Sequence, residues 1–558
     1  MPGSGCAHIL HNARTIVFAI CLAAVCACCS ADTPQPVVAV DEFHFNALLL
    51  NSGAIWRMTT LADELVAGGY SVVEIDGPIT PAILSGCSVL LVTTPSVDYD
   101  DTEIDAIAGF ASAGGGVLFC ANYGVKVWSP ICQSFTNTFG ITLDNNSAKD
   151  TTHNASGNDR WITFGGSCLA SHPLTGGVAS LQCYSTTTIA PAGVATAIAT
   201  TDSDAVPASK PAILARSYGA GRVVVTGNPM YFADRVPDVD IGGGNKADMN
   251  GLLAADNRRF AYNAITWLAG TAARPLVTAS LSKSVVVPGD IIEVDGTVCD
   301  ATLAGYVLEY RLAGGIGAWT QIDAAHSTCV IQGRLGEWSL AGVSPGDYTL
   351  RVTANNTAGG SYSVSDTVHV AQILSRLSDI ASTPEGAYVR LVDKEVVAGS
   401  DDLVGRIYLE ESDRTRGLCV VTSAAALRGT LATVTGIHSA SAGTHTVTAV
   451  DVTTRPRPSG DPLGPVGVVN GKVGGSSAGA NTTGLLVKTW GTVLGSDSDG
   501  ITITDGSSGT LKVLTGYARG PISAPDDGST VAVVGAGATF AGGPAVVARQ
   551  SLQVIATP

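Results

Sequence analysis

The residues best equipped for chemistry lie in Val37-Val38-Ala39-Val40-Asp41-Glu42-Phe43-His44-Phe45-Asn46, an apolar strand running into an acidic, histidine-bearing tip. In an open parallel sheet the functional rim is at the carboxyl ends of the strands. Asp41 and His44 there could orient a base, bind a ligand or hold a cation; they could equally cap the next helix and anchor its loop. An extended backbone would put Glu42, His44 and Asn46 on one side and Asp41 on the other. Cys120 closes a second apolar run, Val117-Leu118-Phe119-Cys120-Ala121-Asn122. A catalytic thiol needs a neighbouring base to lower its pKa, and none is assignable, so a buried or disulfide-bonded Cys120 is the competing reading. Asn122, and Asn228 in Asn228-Pro229-Met230, complete the ligand-binding candidates. Asp238 and Asp240, followed by Gly242-Gly243-Gly244, offer the carboxylates and turns that calcium favours. They lack EF-hand spacing, and the default for 234–250 is a mobile acidic loop. No cofactor is implied.

The bulk numbers bound what can position these groups. With 558 residues, 45% hydrophobic and 14% charged, the chain is neither one core nor disordered. Its formal charge is −16, or −17 without a leader that carries Arg14 and no acid. Nucleic acid needs clustered cations, so this acidity argues against it. Arg14 precedes the apolar run Thr15 to Val25, the pattern of a secretory signal over 1–31. A second reading of the leader, with Val25-Cys26-Ala27 before Cys28, places a lipid anchor on Cys28. No membrane span is expected in the mature chain. Eight of the 13 Cys lie beyond the leader. In an exported protein Cys168/Cys183 and Cys299/Cys329 are the first pairs to consider, while connectivity stays open.

Strand and helix then alternate. Met58 to Gly68 reads as an amphipathic helix, Tyr70 to Ile75 and Val89 to Thr94 as strands, and Asp101-Thr102-Glu103 as the acidic start of a helix stopped by Gly114-Gly115-Gly116. Short connections predict a parallel sheet. Leu91-Val92-Thr93-Thr94-Pro95, Gly114-Gly115-Gly116-Val117-Leu118, Gly221-Arg222-Val223-Val224-Val225 and the closing Asp256-Asn257…Trp267-Leu268 accompany the Asp41/His44/Asn46 tip. With these motifs, 37–270 resembles the class I glutamine amidotransferase-like fold, in its non-catalytic, domain-of-unknown-function branch. Amidotransferases that are active place Cys on a Gly-x-Cys-x-Gly elbow; here Leu118 and Asn122 stand where glycine is wanted, and the late His-x-Glu is missing.

Past Pro275, short alternating segments punctuated by Pro288-Gly289-Asp290 and Pro345-Gly346-Asp347 predict a sandwich over 274–371. Gly346-Asp347-Tyr348-Thr349-Leu350-Arg351-Val352 resembles a late Ig-like or fibronectin-type strand, with Tyr348 placed for a tyrosine corner. The tail repeats itself. Ala387 to Val392, Arg406 to Glu411, Gly417 to Val421 and Leu431 to Gly436 are echoed by Leu485 to Gly491, Ile501 to Gly506, Leu511 to Leu514 and Val531 to Gly535. That order resembles tandem OB-fold barrels over 376–456 and 485–556, joined by a linker over 457–484. The first repeat offers Tyr388, Arg390, Lys394, Arg406, Tyr408, Arg414 and Arg416; the second only Lys488, Trp490 and Lys512.

The expected architecture is therefore multidomain: a flavodoxin-like, amidotransferase-like α/β head, then an all-β Ig-like sandwich and two OB-like β-barrels. The expected role is that of an extracytoplasmic, non-enzymatic binding or scaffold protein of the bacterial envelope or surface, contacting polysaccharide or another envelope protein. The alternatives are a hydrolase working through Asp41, His44 and Cys120, and a head that binds a ligand or cation without catalysis.

Overall fold

The computed structural model describes residues 35–556 apart from 51–53, 55, 124–128, 191–192, 243–244, 271–272, 442, 475–480, 508 and 550–551, and apart from the side chains of 129 and 236–247. The leader and Cys28 lie outside the described residues. Strand predominates over helix in the described structure and is gathered in several sheets. Among the described residues no helix is long and apolar enough to cross a membrane.

The N-terminal sheet contains β1 (Val37–Asp41), β2 (Ser71–Ile75), β3 (Val89–Thr93), β4 (Gly116–Cys120), β5 (Thr196–Thr200), β6 (Pro211–Tyr218) and β7 (Gly221–Thr226). Their order is β2-β1-β3-β4-β7-β6-β5. The first five in that order run parallel. Strands β5 and β6 are antiparallel to their neighbours, which corrects the expectation of a purely parallel sheet. The cause is local: only Gly219-Ala220 separates β6 from β7, enough for a hairpin and far too short for a crossover.

Alternation along the central strands explains their unbroken apolar runs. Val38, Val40, Leu91, Leu118 and Val224 enter one buried cluster. Ala39, Leu90, Val92, Phe119 and Val225 enter the other. Helices α1 (Thr59–Ala67) and α4 (Asn257–Leu268) cover the first face through Leu61, Leu65, Phe260 and Ile265. Helices α2 (Asp101–Ser112) and α3 (Ser129–Asn137) cover the second through Ile107, Ala111, Cys132 and Phe135. Both sheet faces are covered, so β3 and β4 are buried at every position and almost wholly apolar.

Strands of 276–370 form a three-stranded and a five-stranded sheet whose facing side chains share one core. Tyr348 hydroxyl donates to the Ser344 carbonyl at 3.0 Å, the corner its position in the sequence suggests. Leu276 and Cys299 belong to the core of the preceding sheet, so the two cores touch. Cys299 and Cys329, one of the two expected pairs, are brought together there with their sulfurs 2.7 Å apart. The other expected pair does not form: Cys183 faces Tyr231 and Cys120, and Cys168 lies near Asp202 and Asp150.

Two five-stranded rings close the chain. In the first, β8 (Tyr388–Ala398), β9 (Arg406–Glu410), β10 (Gly417–Val421), β11 (Leu431–Ser441) and β12 (Thr444–Arg455) close in the order β8-β9-β10-β12-β11-β8. The second repeats the plan with β13 (Leu486–Asp497), β14 (Gly500–Thr504), β15 (Leu511–Leu514), β16 (Thr530–Phe540) and β17 (Gly543–Ala548). In each, the third and fifth strands pair parallel.

Candidate functional site

The strand order reverses direction between β1 and β3, and in an open sheet of this kind a ligand sits in the crevice at that switch point. Here the chain fills the crevice itself. Strand β1 ends at Asp41, Glu42 and Phe43 both donate their amides to the Ile75 carbonyl, and Phe45 adopts a left-handed φ of 50°. The backbone thereby folds back over β3. Leu48 N donates to Thr93 Oγ1 at 3.1 Å, Asn46 Oδ1 accepts from Thr93 N, and Ser96 N donates to the His44 carbonyl at 3.0 Å. This turn overrides the strict alternation expected of an extended tip. Asp41 joins His44 and Asn46 instead of facing away from them.

His44 sits between two carboxylates. Its Nδ1 is 3.0 Å from Asp41 Oδ2, and its Nε2 is 3.2 Å from Glu103 Oε2. The ring stacks on Tyr99 at 3.8 Å between centroids. Asp41 also accepts from Asn46 Nδ2 at 2.9 Å and from the Tyr99 hydroxyl. Glu103 accepts from Ile79 N at 2.8 Å and from Asp100 N at 3.0 Å, completing the capping box that starts α2. Burial pulls the His44 pKa down, but the hydrogen bond and charge of Asp41 and the charge of Glu103 outweigh it, and the net shift is upward. An imidazole donating from both nitrogens is an imidazolium with no lone pair for base catalysis. With His44 only 1% exposed and Asp41 fully buried, the constellation works as a clamp holding loop 42–48 to β3 and α2.

Cys120 is not part of it. Its side chain enters the cluster on one face of the sheet, whereas Tyr99, beneath His44, packs on the other with Phe135. Burial pushes the Cys120 thiol up to about 12, the reverse of what a nucleophile requires. The hydrolase constellation of Asp41, His44 and Cys120 is therefore not assembled. Among the described residues, 185–188, whose side chains are fully buried, cover the rim beyond β4 and β7. Thr187 N donates to the Gly227 carbonyl at 3.1 Å, and a Cβ on Gly227 would lie 2.0 Å from Thr187 O, so only glycine admits this segment. Asn228 caps the turn that follows, accepting from Met230 N at 2.9 Å and donating to the Ser185 carbonyl at 3.1 Å. Asn122 accepts from the next residue's amide, Tyr123 N, at 2.8 Å.

Thr94 adds strain to the same edge. A β-branched residue at φ 55° is an outlier. Its hydroxyl faces the Cys120 and Ala121 carbonyls at 3.1 and 3.0 Å, which ties β3 to β4 and holds the conformation.

Asp238 and Asp240 fall on a β-hairpin, Val236–Gly242 with Asn245–Met249, where a loop was expected over 234–250; cross-strand pairing between the two segments supplies the order. Their side chains lie outside the described residues. A cation could instead be held by Asp150, His153, Asp202 and Asp204, whose ligand atoms fall within 4.8 Å of one another. His153 Nδ1 lies 2.5 Å from Asp202 Oδ2, so that nitrogen already faces a carboxylate of the group. The sequence separates these residues into Asp150-x-x-His153 and Asp202-x-Asp204, and their adjacency is created only by tertiary structure. Glu103 is likewise legible in the sequence only as part of a helix start, and nothing local singles out Tyr99.

No family profile and no curated protein matches the chain. Among solved structures, the mmIFT52 N-terminal domain is similar over 42% of this chain and 97% of its own length, at 15% identity and a TM-score of 0.35. A ThuA-like protein of Bacteroides uniformis aligns over 43% of this chain and 94% of its own, at 13% identity and 0.29. One from Parabacteroides merdae aligns over 42% and 90%, at 12% and 0.27. Likenesses at these TM-scores say nothing about activity.

Proposed function

We propose that this chain is an exported, non-enzymatic binding and scaffold protein of the bacterial envelope or surface. In this reading an amidotransferase-like, flavodoxin-like α/β head is followed by an Ig-like spacer and two OB-like barrels, and the assembly contacts polysaccharide or another envelope protein. The observation that carries it is the closed rim. The crevice where such a head would hold a substrate is occupied by residues 42–48, and both ring nitrogens of His44 are committed to carboxylates. Ring order in the tail, with the third strand parallel to the fifth, supports OB-like barrels. Nucleic acid is disfavoured by the excess of acids over bases, 47 Asp and Glu against 31 Lys and Arg. Lys394 of the first barrel is buried against Glu411 at 2.9 Å.

The test is a glycan panel against single-stranded DNA at moderate salt, with product release followed in parallel. Retention of a glycan without turnover is expected. Turnover that disappears in Cys120→Ser or His44→Asn would overturn the reading.

A further inference from the structure

The two barrels share a face. Ala398, Leu403 and Tyr408 pack with Leu486, Ala536 and Val547 in one buried cluster. At its edge Gly417 and Gly484 touch, and a Cβ on Gly417 would lie 2.1 Å from the Gly484 carbonyl carbon. Beside this seam lies a cavity of about 150 Å³ with walls from both barrels. Arg406, Arg416 and His445 come from the first barrel; Tyr517, Phe540 and Thr539 come from the second.

The arginines are what distinguish this cavity. The chain has 47 acids against 31 Lys and Arg, so its cations are outnumbered by potential partners. Lys394, Arg455 and Arg457, close to the cleft arginines in sequence, each hold a carboxylate. Among the described residues neither Arg406 nor Arg416 holds one, and the Nε of each is buried without a hydrogen-bond partner. Arg406 is fixed by lying 3.6 Å over the Tyr517 ring, and Tyr517 and Phe540 keep more than a third of their surface exposed. Across the seam Thr444 and Thr539 face each other, hydroxyl to hydroxyl, at 3.1 Å.

Two guanidinium forks, an aromatic surface and hydroxyls select a definite ligand. The forks match a planar carboxylate. Rings offer a flat apolar face to a pyranose, and the threonines can donate to or accept from its hydroxyls. A cavity of roughly 150 Å³ takes one ring and no more. We propose that the cleft between the barrels binds the carboxylate of a sugar acid, free or as the terminal unit of an acidic polysaccharide. The polymer source rests on the polysaccharide reading above, whereas the free sugar acid does not.

Calorimetric titration of the full chain tests this, with galacturonate, galactose, inorganic sulfate and polygalacturonate as probes. One saturable site for galacturonate is expected, with galactose failing to bind. R406Q/R416Q should weaken galacturonate at least tenfold, about 1.4 kcal/mol, while R416K, which keeps the charge and loses the fork, should fall between at an unchanged thermal midpoint. Binding of polygalacturonate that is also lost in the double variant supports both the cleft and the polysaccharide reading. Binding of galacturonate alone supports the cleft and sinks the polysaccharide reading. Equal affinity for galactose or sulfate, unchanged affinity in a folded R406Q/R416Q, or no saturation by galacturonate would each overturn the proposal.

Discussion

Two buried carboxylates mark the contrast between the rim of the N-terminal sheet and the seam between the barrels. Asp41 receives an imidazole nitrogen, an amide and a phenol, and its charge is answered by His44. Glu410, equally buried at the end of β9, receives Leu486 N at 2.9 Å on one oxygen and only the Arg414 guanidinium, 3.5 Å away, on the other. Burial pushes its pKa up to about 6. Polar residues at a strand end are therefore a poor guide to a binding site when read alone. What separates a clamp from a site is whether donors and acceptors are left over once the fold is complete. The rim has spent them. At the seam Arg406 and Arg416 each keep a buried Nε with no hydrogen-bond partner among the described residues.

Removing a clamp member should have the largest effect. Asp41→Ala leaves His44 and Glu103 buried with the pairing broken, and loss of one partner from such a cluster costs about 3–5 kcal/mol. Denaturant unfolding of the full chain should show this loss in the N-terminal sheet, with galacturonate binding at the seam retained. A loss below 1 kcal/mol would mean that the rim is not a clamp. Gly484→Ala attacks the other region. Its φ of 79° and the Gly417 carbonyl carbon, which a Cβ would approach to 2.4 Å, predict a splayed seam. Overpacking of this kind costs roughly 1–3 kcal/mol, and the cleft should lose its ligand while the head melts as before.

The two regions should also respond differently to pH. Glu410 has a folded pKa raised from 4.5 to about 6, so its contribution is fully present below pH 4.5 and is lost as pH rises through 6. The seam should weaken by up to about 2 kcal/mol across that window, and Glu410→Gln should abolish the dependence. His44 is also raised, but as a cation held by two carboxylates. Its contribution is complete below about pH 6.5 and fades as pH climbs through the higher folded value. A melt of the head that is insensitive to pH above neutrality would contradict the imidazolium. Smallest of all, Cys120→Ala should cost about 1 kcal/mol as loss of a small buried side chain, with no functional effect.

Much of the scaffold was legible. Unbroken apolar runs at 89–93 and 117–120 mark strands covered on both faces, and the tail's repeated strand pattern marks two copies of one ring. Arg406 and Tyr408 alternate on β9, so the sequence already puts them on one face. What it could not show is that a second barrel would cover that face and leave a cleft. Nor could it show the left-handed Phe45 that turns Asp41 toward His44, since nothing local distinguishes that residue. Glu103 lies 59 positions from His44, and a contact at that separation is made by folding, not by spacing.

Hydrogen exchange of the full chain with and without galacturonate compares the two regions in one experiment. New protection should appear at 406–419, 444–446, 483–485 and 537–540, and none at 41–48 or 93–97. Protection at the rim with none at the seam would contradict the assignment of one region as a clamp and the other as a site.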